Sequence, residues 1–103
     1  MIHAIIDIGS NTVRMAVYQI KDGAVEQIMK KKDTTVGLAS FMHDNVLEER
    51  GVKRLVYALE DFQKFLAALH IENISIFTTG ALRNAANSRE AIKEIKTRTG
   101  LDI

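Results

Sequence analysis

Ile2-His3-Ala4-Ile5-Ile6-Asp7-Ile8-Gly9-Ser10-Asn11-Thr12-Val13-Arg14-Met15-Ala16-Val17 is the stretch that decides the fold. Ile2 to Ile8 is almost wholly apolar and rich in isoleucine, the pattern of a strand buried on both faces. Asp7-Ile8-Gly9-Ser10-Asn11 then clusters turn formers. Thr12 to Ile20 reads as a second strand, with Val13, Met15 and Val17 on one face. Lys21-Asp22-Gly23 follows, and an Asp-Gly pair between two strand-like runs signals a hairpin. A third strand, Ala24 to Lys30, runs into Lys30-Lys31-Lys32, so the chain opens as a three-stranded meander.

Downstream the period changes. Asn45-Val46-Leu47-Glu48 resembles a capping box. Beyond it Val52, Leu55, Val56, Leu59, Phe62, Leu66 and Leu69 recur at spacings of three and four, one apolar face of a long amphipathic helix. Asn73 to Thr78 reads as a short strand. Asn87-Ser88-Arg89-Glu90 repeats the capping pattern before a second helix lined by Ile92 and Ile95, with Gly100 as its stop. Leu101-Asp102-Ile103 reads as the first step of a fifth strand. The order β-β-β-α-β-α-(β) predicts an α/β fold: a mixed sheet with the first strand central, antiparallel to its hairpin partner and parallel to the strand after the helix.

The 103 residues allow one domain, with no internal repeat, linker or low-complexity segment. Fourteen Lys and Arg against 13 Asp and Glu leave a net charge of +1, which argues against nucleic acid or an anionic membrane as the main partner. The absence of cysteine excludes a disulfide scaffold and a thiolate zinc site, and suits a reducing cytoplasm. The longest apolar run, Phe65 to Leu69, is too short to span a bilayer. Asp7 interrupts an N-terminus that also lacks the basic start of a signal peptide. His3, His43 and His70 share no metal spacing.

Two segments could carry chemistry. Asp7-Ile8-Gly9-Ser10-Asn11-Thr12 sits at the carboxyl end of a buried strand. A tight turn there brings backbone N–H groups and the Ser10, Asn11 and Thr12 side chains into one concavity, and Gly9 lets an anion approach the backbone. Asp7 offers a hard oxygen suited to Mg²⁺ or to a metal-bound water. A plain hairpin turn has the same composition, so both readings stand on the residues alone. The second segment is Thr78-Thr79-Gly80-Ala81-Leu82-Arg83-Asn84-Ala85-Ala86-Asn87, small residues leading into helical turns, with Arg83 as a planar cationic fork for phosphate oxygens. Its plainer reading is a strand-to-helix connection with Asn87 as N-cap and Arg83 in solvent. If the first and fourth strands are neighbours, both segments open at the sheet edge where α/β folds bind ligands.

Asp7-Ile8-Gly9-Ser10-Asn11-Thr12-Val13-Arg14-Met15 resembles the D-[IL]-G-S-N-S-x-R-[LM] motif of the exopolyphosphatase/guanosine pentaphosphate phosphohydrolase family, with Thr12 for serine. Thr79-Gly80-Ala81-Leu82-Arg83-Asn84-Ala85-Ala86-Asn87 is similar to its T-S-A-x-R-D-A-x-N motif, with Gly80 for serine and Asn84 for aspartate. Thr99-Gly100 also sits where that family has T-G before a strand. The resemblance implies a ribonuclease H-like (actin-like ATPase) half-domain, cut at the start of its fifth strand. It implies a Mg²⁺ cofactor near Asp7, one phosphate loop at Gly9, Ser10, Asn11 and Thr12, and a second phosphate contact from Thr79, Gly80, Arg83 and Asn87. Polyphosphate or a phosphorylated guanosine nucleotide is the implied ligand, and the remainder of a parent protein or a second chain the implied partner.

Departures from the family pattern matter as much. Val36-Gly37-Leu38-Ala39 stands where the family often reads V-R-L-G. The S-G-x-E-E-A stretch, whose glutamate activates water, and the D-x-G-G-G-S loop of the other half-domain have no counterpart here. The expectation is therefore one wall of a phosphohydrolase site, with no catalytic residue of its own and little or no activity alone. A non-catalytic phosphate- or nucleotide-binding module and the ATP-binding half of an actin-like sugar kinase are the alternatives.

Overall fold

The computed structural model describes residues 1–103, with side chains at all positions but 31 and 32. The sheet has four strands: β1 (Ile2–Ile8), β2 (Thr12–Lys21), β3 (Ala24–Thr35) and β6 (Ile74–Thr78), in the order β3-β2-β1-β6. Between β3 and β6 come a 3-10 turn (Leu38–Phe41), a two-residue strand pair, β4 (Met42–His43) with β5 (Val46–Leu47), and the long helix α1 (Glu49–Ala68). The short α2 (Ala81–Asn84) and then α3 (Ser88–Thr99) follow β6. The central β1 is antiparallel to β2 and parallel to β6. This is the mixed α/β order expected from the sequence.

Alternation along the strands builds the core. Ala4, Ile6 and Ile8 of β1 and Val13, Met15 and Val17 of β2 turn to one face and are fully buried. Val52, Leu55, Val56, Leu59, Phe62 and Leu66 of α1 join them in one cluster, extended by Leu82, Ala91 and Ile95. The opposite face carries His3, Ile5 and Asp7 of β1 and is only part-buried at these positions. Among the described residues no helix is long and apolar enough to cross a membrane.

Four expectations are corrected by the structure. The third strand continues past Lys30 to Thr35, because Thr34 and Thr35 find backbone partners in Val13 and Thr12 across two register shifts. Lys30 is thus exposed within an edge strand, where charge discourages sheet-to-sheet association; the side chains of the next two lysines lie outside the described residues. Asn45 does not cap α1. It and Asp44 take positive φ (65° and 48°) and form the two-residue turn joining β4 to β5, so Glu48 stands at the N-cap with no side-chain cap. Leu69 falls beyond the last turn of α1 and is exposed. Leu101, Asp102 and Ile103 form no strand; Gly100 ends α3 in the left-handed region, and the Leu101 amide donates to the Thr99 hydroxyl.

Candidate phosphate site

Two loops leave the same end of the sheet because β1 and β6 are parallel neighbours. The Thr79 amide and the Thr78 hydroxyl both donate to the Ile8 carbonyl (3.0 and 3.2 Å), locking the end of β6 to the end of β1. The first loop is a tight reversal: the Gly9 amide donates to the Thr12 carbonyl at 3.0 Å, and a Cβ on Gly9 would lie 3.0 Å from that oxygen. The Gly9 N–H is therefore spent on the turn. The amides of Ser10 and Asn11 make no hydrogen bond among the described residues, and neither does that of Gly80. Unpaired N–H groups on adjoining loops are donors of the kind an anion can engage.

The loops touch directly. Ser10 Oγ accepts the Ala81 amide at 2.9 Å, and a Cβ built on Gly80 would fall 2.0 Å from that hydroxyl and 3.5 Å from the Ser10 nitrogen. Gly80 has φ 67° and ψ −127°, a conformation open only to glycine. A third segment completes the floor: the Asn11 carbonyl accepts the Val36 and Gly37 amides (3.0 and 2.8 Å), and the Ser10 carbonyl accepts the Ala39 amide (2.8 Å). Backbone-only contacts of this kind leave no side-chain signature. The one available hint is Gly37, which adopts φ 71° where the strand leaves the sheet.

Asp7 points to the face of the sheet away from α1, into a depression of about 330 Å³ shared with Ile5, Arg14, Lys30 and Phe77. Its Oδ1 is buried without a hydrogen-bond partner among the described residues. Arg14 is opposite Asp7 in register, yet its guanidinium Nε pairs with Asp33 at 3.2 Å. A buried carboxylate oxygen with no donor is costly unless a cation or ordered water completes it. A divalent cation such as Mg²⁺ would fit that orphan oxygen, with Asp7 as the residue that would hold it. Among the described residues no group of three or more His, Asp or Glu side chains converges to hold a metal ion.

The turn at residues 9–12 and the loop at 79–83 leave the same end of the sheet, and Ser10 joins them through Gly80 and Ala81. Asp7 opens into a separate depression and Asn87 is held elsewhere. Arg83 stands on α2, exposed and without an ion-pair partner among the described residues. Asn87 is committed elsewhere: its Oδ1 accepts the Leu47 amide (2.9 Å) and its Nδ2 donates to the Leu47 carbonyl (3.0 Å). It occupies the N-cap position of α3 but makes no side-chain cap.

Comparison with known proteins agrees with this architecture. A model of the Ppx/GppA phosphatase family matches residues 16–103. The chain is 26% identical over 100 residues to exopolyphosphatase 1 of Mycobacterium bovis, covering 96% of this chain and 29% of that protein. It is 31% identical over 102 residues to the guanosine-5'-triphosphate,3'-diphosphate pyrophosphatase of Vibrio atlanticus, covering 99% and 20%. The crystal structure of the Aquifex aeolicus Ppx/GppA family member superposes with a TM-score of 0.86 at 29% identity, covering 99% of this chain and 33% of that one. The chain thus spans between a fifth and a third of the length of these relatives. With both motif loops at one sheet edge and a matching family model over most of its length, the chain belongs to the Ppx/GppA phosphatase family.

Proposed function

We propose that this chain supplies one wall of the phosphate and Mg²⁺ site of a cytoplasmic exopolyphosphatase-like phosphohydrolase. The parent activity is cleavage of terminal phosphoanhydride bonds of polyphosphate or guanosine pentaphosphate. One observation carries this reading: the unpaired amides of Ser10, Asn11 and Gly80 lie on two loops in contact, with the orphan Asp7 Oδ1 near the end of the same strand. Bound Mg²⁺ would neutralise charge on phosphate oxygens, with Asp7 as its protein ligand. Ser10, Asn11 and Gly80 present N–H donors, and Arg83 brings a permanent positive charge to the second loop.

Hydrolysis also needs an in-line water and a base to take its proton. Of the acids on α3, Glu94 pairs with Arg98 at 3.3 Å, which also reaches Glu49 of α1 at 3.1 Å, and Glu90 lies exposed on the helix surface. The chain therefore binds phosphate and does not turn it over alone. A phosphate-release assay on the purified chain with Mg²⁺ and polyphosphate tests this, with no release expected. Robust release abolished by Arg83→Ala would show a complete enzyme instead. Calorimetry against ATP and polyphosphate separates the phosphohydrolase reading from a sugar-kinase one, which requires ATP to bind more tightly.

A further inference from the structure

We propose that Ser10 is a positioning residue, a strut whose hydroxyl sets the spacing of the two loops and thereby aims Arg83. This role rests on the phosphate-site reading above and adds the means by which the second loop is held. Ala81 is the first residue of α2, so its amide has no partner within that helix. A capping side chain at the preceding position reaches the second and third amides of a helix, so the first is left to water or to a group from outside the helix. Here the preceding residue is Gly80, which has no side chain at all. The partner comes from the other loop, across 71 residues of sequence, as the 2.9 Å bond from the Ala81 amide to Ser10 Oγ.

The fit is steric as well as polar. The Ser10 hydroxyl occupies the space a Cβ on Gly80 would need, 2.0 Å from its ideal position, so it lies in the seam between the loops. On its other side the Ser10 carbonyl is held by the Ala39 amide at 2.8 Å. Ser10 is thus fixed at its hydroxyl and at its backbone. Arg83 lies in the same helical turn as Ala81, closed by the Asn84 amide donating to the Gly80 carbonyl at 3.0 Å. Moving the Ala81 amide moves the base of the Arg83 side chain.

The test combines exchange and binding measurements on the ¹⁵N-labelled chain, with Mg²⁺-tripolyphosphate as probe. Ser10→Ala is expected to raise hydrogen exchange at the Ala81 amide and to weaken the probe roughly fivefold, the loss equivalent to one hydrogen bond. Ser10→Thr, which keeps the oxygen, restores both. In an Arg83→Ala background the same Ser10→Ala change costs less than about twofold, because coupled residues are not additive. Ser10→Cys keeps a side chain at this place but offers a much weaker acceptor. It gives a smaller loss of the same kind, and it carries the test if Ser10→Ala fails to fold. Equal losses with and without Arg83 would mean that the Ser10 hydroxyl itself contacts phosphate, and full binding in Ser10→Ala would mean that its bond to Ala81 is not needed; either result would overturn the strut. If the wild-type chain does not bind the probe, the phosphate reading fails, and Ala81 exchange decides the strut alone: unchanged exchange in Ser10→Ala refutes it.

Discussion

Asn87 brackets Leu47, its amide oxygen on the Leu47 N–H at 2.9 Å and its amide nitrogen on the Leu47 carbonyl at 3.0 Å. The side chain thereby acts as one more short strand on β5 and fastens the start of α3 to the β4–β5 hairpin. The Ala86 amide donates to the Asn45 carbonyl at 2.7 Å and strengthens the same junction. Asn87→Ala leaves both Leu47 groups part-buried and unpaired. It is expected to cost about 1–3 kcal/mol, read as a lower urea midpoint with an unchanged slope. Asn87→Asp keeps the acceptor but sets an anionic oxygen against the Leu47 carbonyl, so it recovers none of that loss.

Gly51 presents two opposed effects. Alanine inside a helix is worth about 1 kcal/mol over glycine. A Cβ at this position, however, would lie 2.8 Å from the Phe41 Cβ and 3.0 Å from Leu47 Cδ1. Phe41 Cβ is next to the backbone and cannot swing aside, and overpacking of this kind costs about 1–3 kcal/mol. The clash wins: Gly51→Ala should lower the melting temperature, whereas a rise would show that the Phe41 segment yields.

Gly80 and Gly100 share a positive φ, 67° and 78°, but differ in surroundings. A Cβ on Gly100 meets nothing within 4 Å, so Gly100→Ala carries only the left-handed backbone penalty of about 1–2 kcal/mol. Gly80→Ala adds the collision with Ser10 and should destabilise the chain more. Thermal melts of the two variants side by side check this ordering; equal losses would contradict the loop contact.

Leu59 lies at the centre of α1 and is fully buried against the sheet. Leu59→Ala should remove about 2–5 kcal/mol. A domain of this size has little more than that in reserve, so the variant is expected to lose its cooperative melt at 37 °C.

The buried faces were legible in the sequence because periodicity reports burial directly. Val13, Met15 and Val17 alternate, and Val52 to Leu66 recur by three and four, and each of those positions is in the core. Caps were harder to read. Asn45 and Asn87 have the composition of helix starts, yet Asp44-Asn45 serves a hairpin turn and Asn87 serves Leu47. Asparagine's short amide suits turns, caps and backbone bridging alike, and tertiary contacts choose among them. The candidate site was legible as two motifs but not as loops in contact. The bond between Ser10 and Ala81, and the backbone links from residues 36–39 to Ser10 and Asn11, depend on how strands pair and leave no local pattern.

If the loops at residues 9–12 and 79–83 form one Mg²⁺-assisted phosphate half-site, a ¹H–¹⁵N titration of the chain with tripolyphosphate, with and without Mg²⁺, will show it. Shifts are expected to centre on the free amides of Ser10, Asn11 and Gly80. Arg83→Ala is expected to weaken binding by about tenfold or more, the loss of one charge-assisted contact, and Asp7→Asn to abolish the Mg²⁺ dependence. Shifts confined to residues 30–32, indifferent to Arg83 and Asp7, would rule out the half-site.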